Sequence, residues 1–290
     1  MKQTLFIGLN HDQIPYLKVF KDLGYYVIGI DKNCTAPGVE LVDFFVNRGY
    51  DDYDEIEKGL LAEKHLKPNA VFTAAAQFSH VIAARLAGLY GIRYPSPALV
   101  NKILDKSEFY NLFSQNGLPI PQTEYVYSSS DLKALLIRGS SQDRYFVKSD
   151  FSKNPKYVYS GAADDLLATS VNWNVDTHFR SCYVVQPEIP GASLRINIIG
   201  DDFEIYDFDS GSELNVFTHN MLNIAKELKI FCKRIGLESW IVKFDVIDTG
   251  DSFATLDIGI DPPSRMVKKY ERNGLNFAKF YVEKYLNAFE

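Results

Sequence analysis

The chain has 290 residues, 46% of them hydrophobic and 23% charged, with a formal net charge of -6. That length suits two compact units, and 18 Tyr and 20 Phe give ample apolar surface for their cores. The acidic balance disfavours a protein that coats nucleic acid, because phosphate binding needs a basic face. Cys34, Cys182 and Cys232 are far apart and form no Cys-x-x-Cys pair. Neither a zinc site nor a redox motif is indicated, and reduced thiols are expected. No window approaches the roughly 20 apolar residues of a membrane span. The opening run, MKQTLFIGLN, turns polar too soon for a signal-peptide core, so a cytoplasmic protein is expected.

The first hundred residues alternate strand and helix signals. Residues 4–9 (TLFIGL) read as a buried strand. Residues 14–23 carry Tyr16, Leu17, Phe20 and Leu23 at helical spacing, and Gly24 follows as a C-cap. Residues 25–30 (YYVIGI) and 70–74 (AVFTA) read as further strands, and 81–90 (VIAARLAGLY) as a small-residue helix. Such alternation implies a parallel sheet covered on both faces. The first strand-to-helix turn, GLNHDQIP, is not G-x-G-x-x-G, so a dinucleotide fingerprint is missing and a dehydrogenase is a distant reading. Asp31 reads as a solvated strand end.

Residues 94–99 (YPSPAL) hold two prolines and no periodic pattern, which marks a boundary near residue 97. Residues 101–116 read as one helix closed by Gly117, and 118–121 (LPIP) as a rigid extended connector. Beyond residue 124 the pattern changes. Strands are expected at 145–148, 183–186, 195–199, 203–208, 240–247 and 253–258, several alternating as half-buried antiparallel strands do. Helices are expected at 221–235 and 276–289. The second unit is therefore α+β.

Its chemistry-bearing residues form an ordered set. Asp105-Lys106 comes first, then the strand ending in Lys148, then the acceptor-rich turn VVQPEIPG at 184–191. An arginine strand follows (SLRINIIGDDFEIYDF), and then two carboxylate-bearing strands with Asp245, Asp257 and Asp261, trailed by Arg265. Two lysines from separate elements can neutralise a triphosphate as mobile point charges. Asp245 and Asp257 would sit side by side on a hairpin through residues 248–252, where a hard cation such as magnesium takes carboxylate, phosphate and water oxygens. The turn at 184–191, leaving a strand between two lobes, offers an adenine ring an apolar slot and a backbone edge.

These motifs, in this order, resemble the ATP-grasp superfamily along the whole chain. That superfamily includes D-alanine–D-alanine ligase, biotin carboxylase and the peptide-modifying glutamate ligases. The resemblance implies an α/β fold: a preATP-grasp parallel-sheet domain (1–97), then a two-subdomain α+β ATP-grasp domain (98–290) with its lid at about 122–185. Ala36-Pro37 and Asp43 look like the preATP-grasp domain. In NKILDKSEFYNLFSQNGLPIPQT, Lys106 matches the family's first phosphate lysine, and Lys148 matches the second. Val185, Gln186, Glu188 and Ile189 match the adenine hinge, and Ser193 stands where many members place an acidic residue on the ribose. Arg195 in GASLRINIIGD matches a phosphate-contacting arginine. Asp245 and Asp257 match the two magnesium carboxylates, Gly259 replaces the usual Asn, and Asp261 is the nearest substitute ligand. The glycine-rich phosphate loop is replaced by SDFSKNPKYVYSG, where Lys153 and Lys156 could contact phosphate by charge.

The implied cofactors are ATP and Mg2+. The implied reaction phosphorylates a substrate carboxylate and passes the acyl group to an amine. Arg265 would grip a carboxylate in a bidentate fork, near His11 and Gln77 at the strand ends of the first lobe. Expected partners are a small acid and a compact amine, with no nucleic acid and no membrane; a homodimer is left open. Two other readings share the ATP site: a small-molecule kinase and a non-catalytic ATP-binding or regulatory protein. Each residue also has a plainer role. The lysines can be solvated, Asp245 can pair with Lys243, Arg195 can pair with Glu204 or Asp207, and His11 and His80 can be structural.

Overall fold

The computed structural model describes residues 1–75, 78–149, 158–170 and 182–287. Gln77, Lys153, Lys156 and His178 lie outside the described residues. The first unit holds β1 (Gln3–Ile7), β2 (Tyr26–Asp31), β3 (Phe44–Asn47) and β4 (Ala70–Thr73) in the order β3-β2-β1-β4, all parallel. Successive side chains of a strand point to opposite faces. Phe6 accordingly packs with Leu17, Phe20 and Phe72, while Leu5 and Ile7 pack with Ile28, Ile30, Ile56 and Leu60. Both faces are thus covered, as the continuous apolar runs require.

One cover comes from the far end of the chain. Tyr281 and Tyr285 of the helix Phe277–Asn287 meet Tyr16 and Phe72 edge to face. Asp31 is not a solvated strand end. It is buried, and its carboxylate accepts hydrogen bonds from the backbone amides of Leu9 (2.8 Å) and Asn33 (2.9 Å), which fixes the loops after β1 and β2. His80 is also buried, 2.7 Å from the Tyr94 hydroxyl and beside Trp240.

The single helix expected over 101–116 is two, Pro97–Leu104 and Lys106–Gln115. Asp105 between them is extended, and its carboxylate accepts from the Ser107 backbone amide (2.9 Å) and hydroxyl (2.5 Å). Capping a new helix outcompetes continuing the old one. Lys106 therefore stands on the first turn of a helix.

Two antiparallel sheets follow. The lid sheet holds β5 (Glu124–Val126), β6 (Arg144–Ser149), β7 (Val158–Ala162) and β8 (Tyr183–Pro187) in the order β5-β8-β6-β7. The helices Ser129–Arg138 and Ala163–Ser170 cover one of its faces through Leu132, Leu136 and Leu166. The base sheet holds β9 (Ala192–Ile199), β10 (Asp202–Asp207), β11 (Ile241–Asp248) and β12 (Phe253–Gly259) in the order β10-β9-β11-β12. Leu194, Ile196, Phe244 and Val246 turn one face onto Ile224, Leu228 and Phe231 of the helix His219–Arg234. The other face is polar, and it carries the candidate site.

Gly191 makes the passage from lid to base, with φ at +155°. A Cβ there would strike the Asp248 carbonyl oxygen and come within 2.6 Å of Ile247 Cγ2. Backbone cannot step aside as a side-chain tip can. We expect Gly191→Ala to cost about 2–3 kcal/mol of stability, read as a lowered denaturant midpoint. An unchanged midpoint would mean that the passage shifts freely.

Candidate active site

Register decides what the base sheet presents. Arg195 on β9 lies opposite Asp245 on β11, and Asp245 lies opposite Asp257 on β12. Residues paired across antiparallel strands share a face, so the three form a row on the polar side. Arg195 binds Asp245 through two bonds of 2.7 Å, Nε to Oδ1 and Nη2 to Oδ2. Burial opposes the Arg195 charge, but the Asp245 hydrogen bonds and charge outweigh it and raise the guanidinium pKa. Asp257 has no such partner among the described residues; its Oδ1 accepts the Ile258 amide at 3.0 Å. Burial pushes its carboxyl pKa up, Lys106 pulls it down, Asp245 adds to the rise and Lys148 opposes it.

The lid supplies Lys148. On β6 it lies opposite Val184 of β8, and its ammonium donates to Gln186 Oε1 at 2.9 Å. Gln186 is buried, and its Nε2 donates to Thr123 Oγ1 at 2.9 Å. The Tyr110 hydroxyl donates to the Leu256 carbonyl (2.9 Å) and lies 3.2 Å from the same Gln186 Oε1. Helix, lid and base thus meet at the Tyr110 hydroxyl. Sequence reasoning missed Tyr110, and its only signal was a hydroxyl on the apolar face of the Lys106 helix. Burial lowers the Lys148 pKa to about 8; Asp257 raises it, Lys106 lowers it further and Asp245 raises it. Lys106, Lys148, Asp245 and Asp257 are therefore close enough to act on one another's charge.

The hinge residues divide. Val185 lies in the lid's own core, with its backbone taken by the ladders to β5 and β6. Glu188 is exposed, pairs with Arg144 and gives its backbone amide to the Arg144 carbonyl at 2.8 Å. Ile189 is half-buried. Ser193 lies opposite Ile247, and its carbonyl accepts the Phe208 amide at 2.9 Å.

Asp261 is bound to Lys243 at 2.6 Å, so Lys243 is not the partner of Asp245. Arg265 donates Nη1 to the Asp207 carbonyl at 2.9 Å and Nη2 to that of Phe208. Arg195 and Arg265 both lie over the Phe208 ring, at 5.2 and 5.1 Å. Burial, reinforced by the Arg195 charge, lowers the Arg265 pKa.

Among the described residues no group of three or more His, Cys, Asp or Glu could hold a metal ion. Asp245 and Asp257 fit a cation that needs fewer protein ligands. Magnesium binds through one or two carboxylates, with phosphates and water completing the shell. Asp257, half-buried, facing Asp245 and with its carboxyl pKa pushed up, is the group such a cation would relieve.

Three packed sheets in this order have counterparts among solved structures. The chain is similar to an L-amino acid ligase from Bacillus licheniformis at 15% identity and a TM-score of 0.72, over 100% of this chain and 74% of that one. A RimK domain ATP-grasp protein from Sphaerobacter thermophilus matches over 98% of this chain and 99% of its own, at 13% identity and a TM-score of 0.63. This chain has the ATP-grasp fold. A third likeness is the biotin carboxylase domain of 2-oxoglutarate carboxylase from Hydrogenobacter thermophilus, solved as a dimer with MgADP, ADP and bicarbonate. It shares 13% identity at a TM-score of 0.72, over 97% of this chain and 68% of that one. No family model and no curated protein sequence matches. Among the described residues of this ATP-grasp fold, no helix is long and apolar enough to cross a membrane.

Proposed function

We propose that the chain is an ATP- and magnesium-dependent carboxylate–amine ligase that works through an acyl phosphate on a small acid and a compact amine. The observation that carries the reading is the convergence of Lys106, Lys148, Arg195, Asp245 and Asp257 between the lid and base sheets. Lys106 and Lys148 neutralise the triphosphate from two separate elements. Gln186 holds Lys148 in place meanwhile. Adenine lies against the hinge from Gln186 to Ile189, where the chain leaves the lid ladder, and its ribose lies near Ser193. Asp245 and Asp257 hold the magnesium ion, which supplies charge neutralisation on the phosphates. Arg195 shares Asp245 and faces the transferring phosphate. Positioning and charge do most of the work, since phosphoryl transfer asks little covalent chemistry of the protein.

Several observations bear on the acid. Arg265 reaches the same Phe208 ring as Arg195, which puts a second guanidinium beside the phosphate position. Its hydrogen bonds go to neutral carbonyls, so its charge is available to a carboxylate. The L-amino acid ligase and the biotin carboxylase domain are named for joining or carboxylating small molecules, which supports the same class here.

Hydroxylamine tests the reaction directly, because it traps an acyl phosphate as a hydroxamate. With ATP, magnesium and a panel of acids, ADP and hydroxamate should rise together for the productive acid. ADP release with a stable phosphate ester, and neither hydroxamate nor amide, would replace the ligase with a kinase.

A further inference from the structure

Beside the row Arg195–Asp245–Asp257 lies a cleft of about 570 Å³, between the turn after β10 and the helix Ser264–Arg272. That volume suits a small molecule. Tyr206 in its lining is the register partner of Arg195. Adjacent strands lie about 4.8 Å apart, so the cleft begins roughly 10 Å from the Asp245 strand. Arg265 lines it as well, and thus serves both the cleft and the candidate site.

The charge in this cleft is uneven. Arg265, Lys268, Lys269 and Arg272 line it from one helix. Positions three, four and seven apart share a helix face, and like charges there repel. Lys269 is offset by ion pairs to Glu204 (2.8 Å) and Glu213 (2.7 Å). Among the described residues Lys268 and Arg272 have no ion pair, and Arg265 bonds only to carbonyls. Asp209 is the one lining acid besides Glu213. The helix dipole favours Arg272 in the last turn but opposes Arg265 in the first. Lys268 and Arg272, with no ion pair among the described residues, and Arg265, whose charge Asp245 and Asp207 partly offset, therefore face a small-molecule cleft that opens next to the carboxylate chemistry.

We infer that the acid substrate is a small polyanion, and that its second anionic group sits in this cleft against Lys268 and Arg272, with Arg265 between the two anionic ends. The inference rests on the ligase reading and names its substrate class. The shared chemistry is a compact anion, which a phosphate monoester or a second carboxylate can supply.

Binding can be measured without turnover. Glycerol 3-phosphate, glutarate and acetate are titrated calorimetrically into the whole protein, and into the double variant Lys268→Ala/Arg272→Ala. The two dianions should bind the parent, the stronger of them naming the phosphate or carboxylate source, and acetate should not. The double variant should bind the stronger dianion about tenfold more weakly, as two exposed charge contacts warrant, with ATP affinity unchanged. Raising the salt concentration should narrow the difference. Equal dianion binding by parent and variant, or no dianion binding to the parent, overturns the inference. The hydroxylamine assay separates this failure from failure of the ligase reading. Hydroxamate formed equally well from monoacids by parent and variant removes the polyanion and leaves the ligase. Dianion binding lost in the variant, with no hydroxamate from any acid, keeps the anion cleft and removes the ligase.

Discussion

Lys148→Ala should weaken ATP binding by at least roughly 30-fold, about 2 kcal/mol, because it truncates one side of a partly buried charge contact. An exposed lysine would account for a few-fold at most. The expected pH dependence is more specific. Burial holds the Lys148 pKa near 8, below the ordinary lysine range. Triphosphate prefers the protonated form, so the bound state has the higher pKa. Affinity is then nearly flat below pH 8 and falls as pH rises through that value, by about tenfold between pH 7 and 9. Lys148→Arg should flatten the profile, since a guanidinium keeps its charge across the range. Calorimetric titration of ATP at fixed ionic strength measures both. A parent profile as flat as that of the arginine variant would remove Lys148 from the phosphate site.

The order of elements was legible because each carries its own period. Alternation in WIVKFDVI and FATLDI marked two strands, and DTGDS marked the turn between them. The turn's register alone would set Asp245 opposite Leu256, and a bulge between Asp245 and Val246 brings Asp257 there instead; only that these two strands pair could be read locally. The other neighbour of β11 could not. β9 joins it across more than forty residues of chain, and this register hands Arg195 to Asp245 rather than to Glu204 or Asp207. Glu204 is instead taken by Lys269 and the Tyr206 hydroxyl, and Asp207 accepts the Ser210 amide. Lys243 meets Asp261 for the same non-local reason. β5 spans only Glu124–Val126 and is too short for periodicity to reveal. The break at Asp105 was written in the sequence as a capping residue ahead of Ser107, but the apolar spacing on both sides masked it. The docking of the C-terminal helix on the first lobe depends on aromatic side chains more than two hundred residues apart.

Asp257→Asn should separate activity from stability. Asp257 is a half-buried carboxylate opposite a second carboxylate, and its pKa is raised mainly by burial. Ionising it costs folding free energy that only the cation and nearby lysines offset. An amide of the same shape removes that cost, keeps an oxygen for the Ile258 amide, and should leave the melting temperature equal or higher. Turnover should nonetheless fall by about 10²–10³-fold, the scale seen when charge stabilisation is removed from a transition state. Asp245→Asn should lose comparable activity but behave differently in stability. It strips Arg195 of its bidentate partner and leaves a partly buried guanidinium with only neutral acceptors. Breaking such a pair destabilises, whereas relieving Asp257 does not. Asp261→Asn should cost less turnover than either, since Lys243 already holds that carboxylate. Steady-state ADP release and thermal melting, run on the three variants with saturating magnesium, give six numbers against which to check the order. If Asp257→Asn keeps full turnover, the row opposite Arg195 is structural and the metal lies elsewhere. If it loses turnover and stability together, Asp257 acts in folding as Asp245 does, and its ionised carboxylate stabilises the fold.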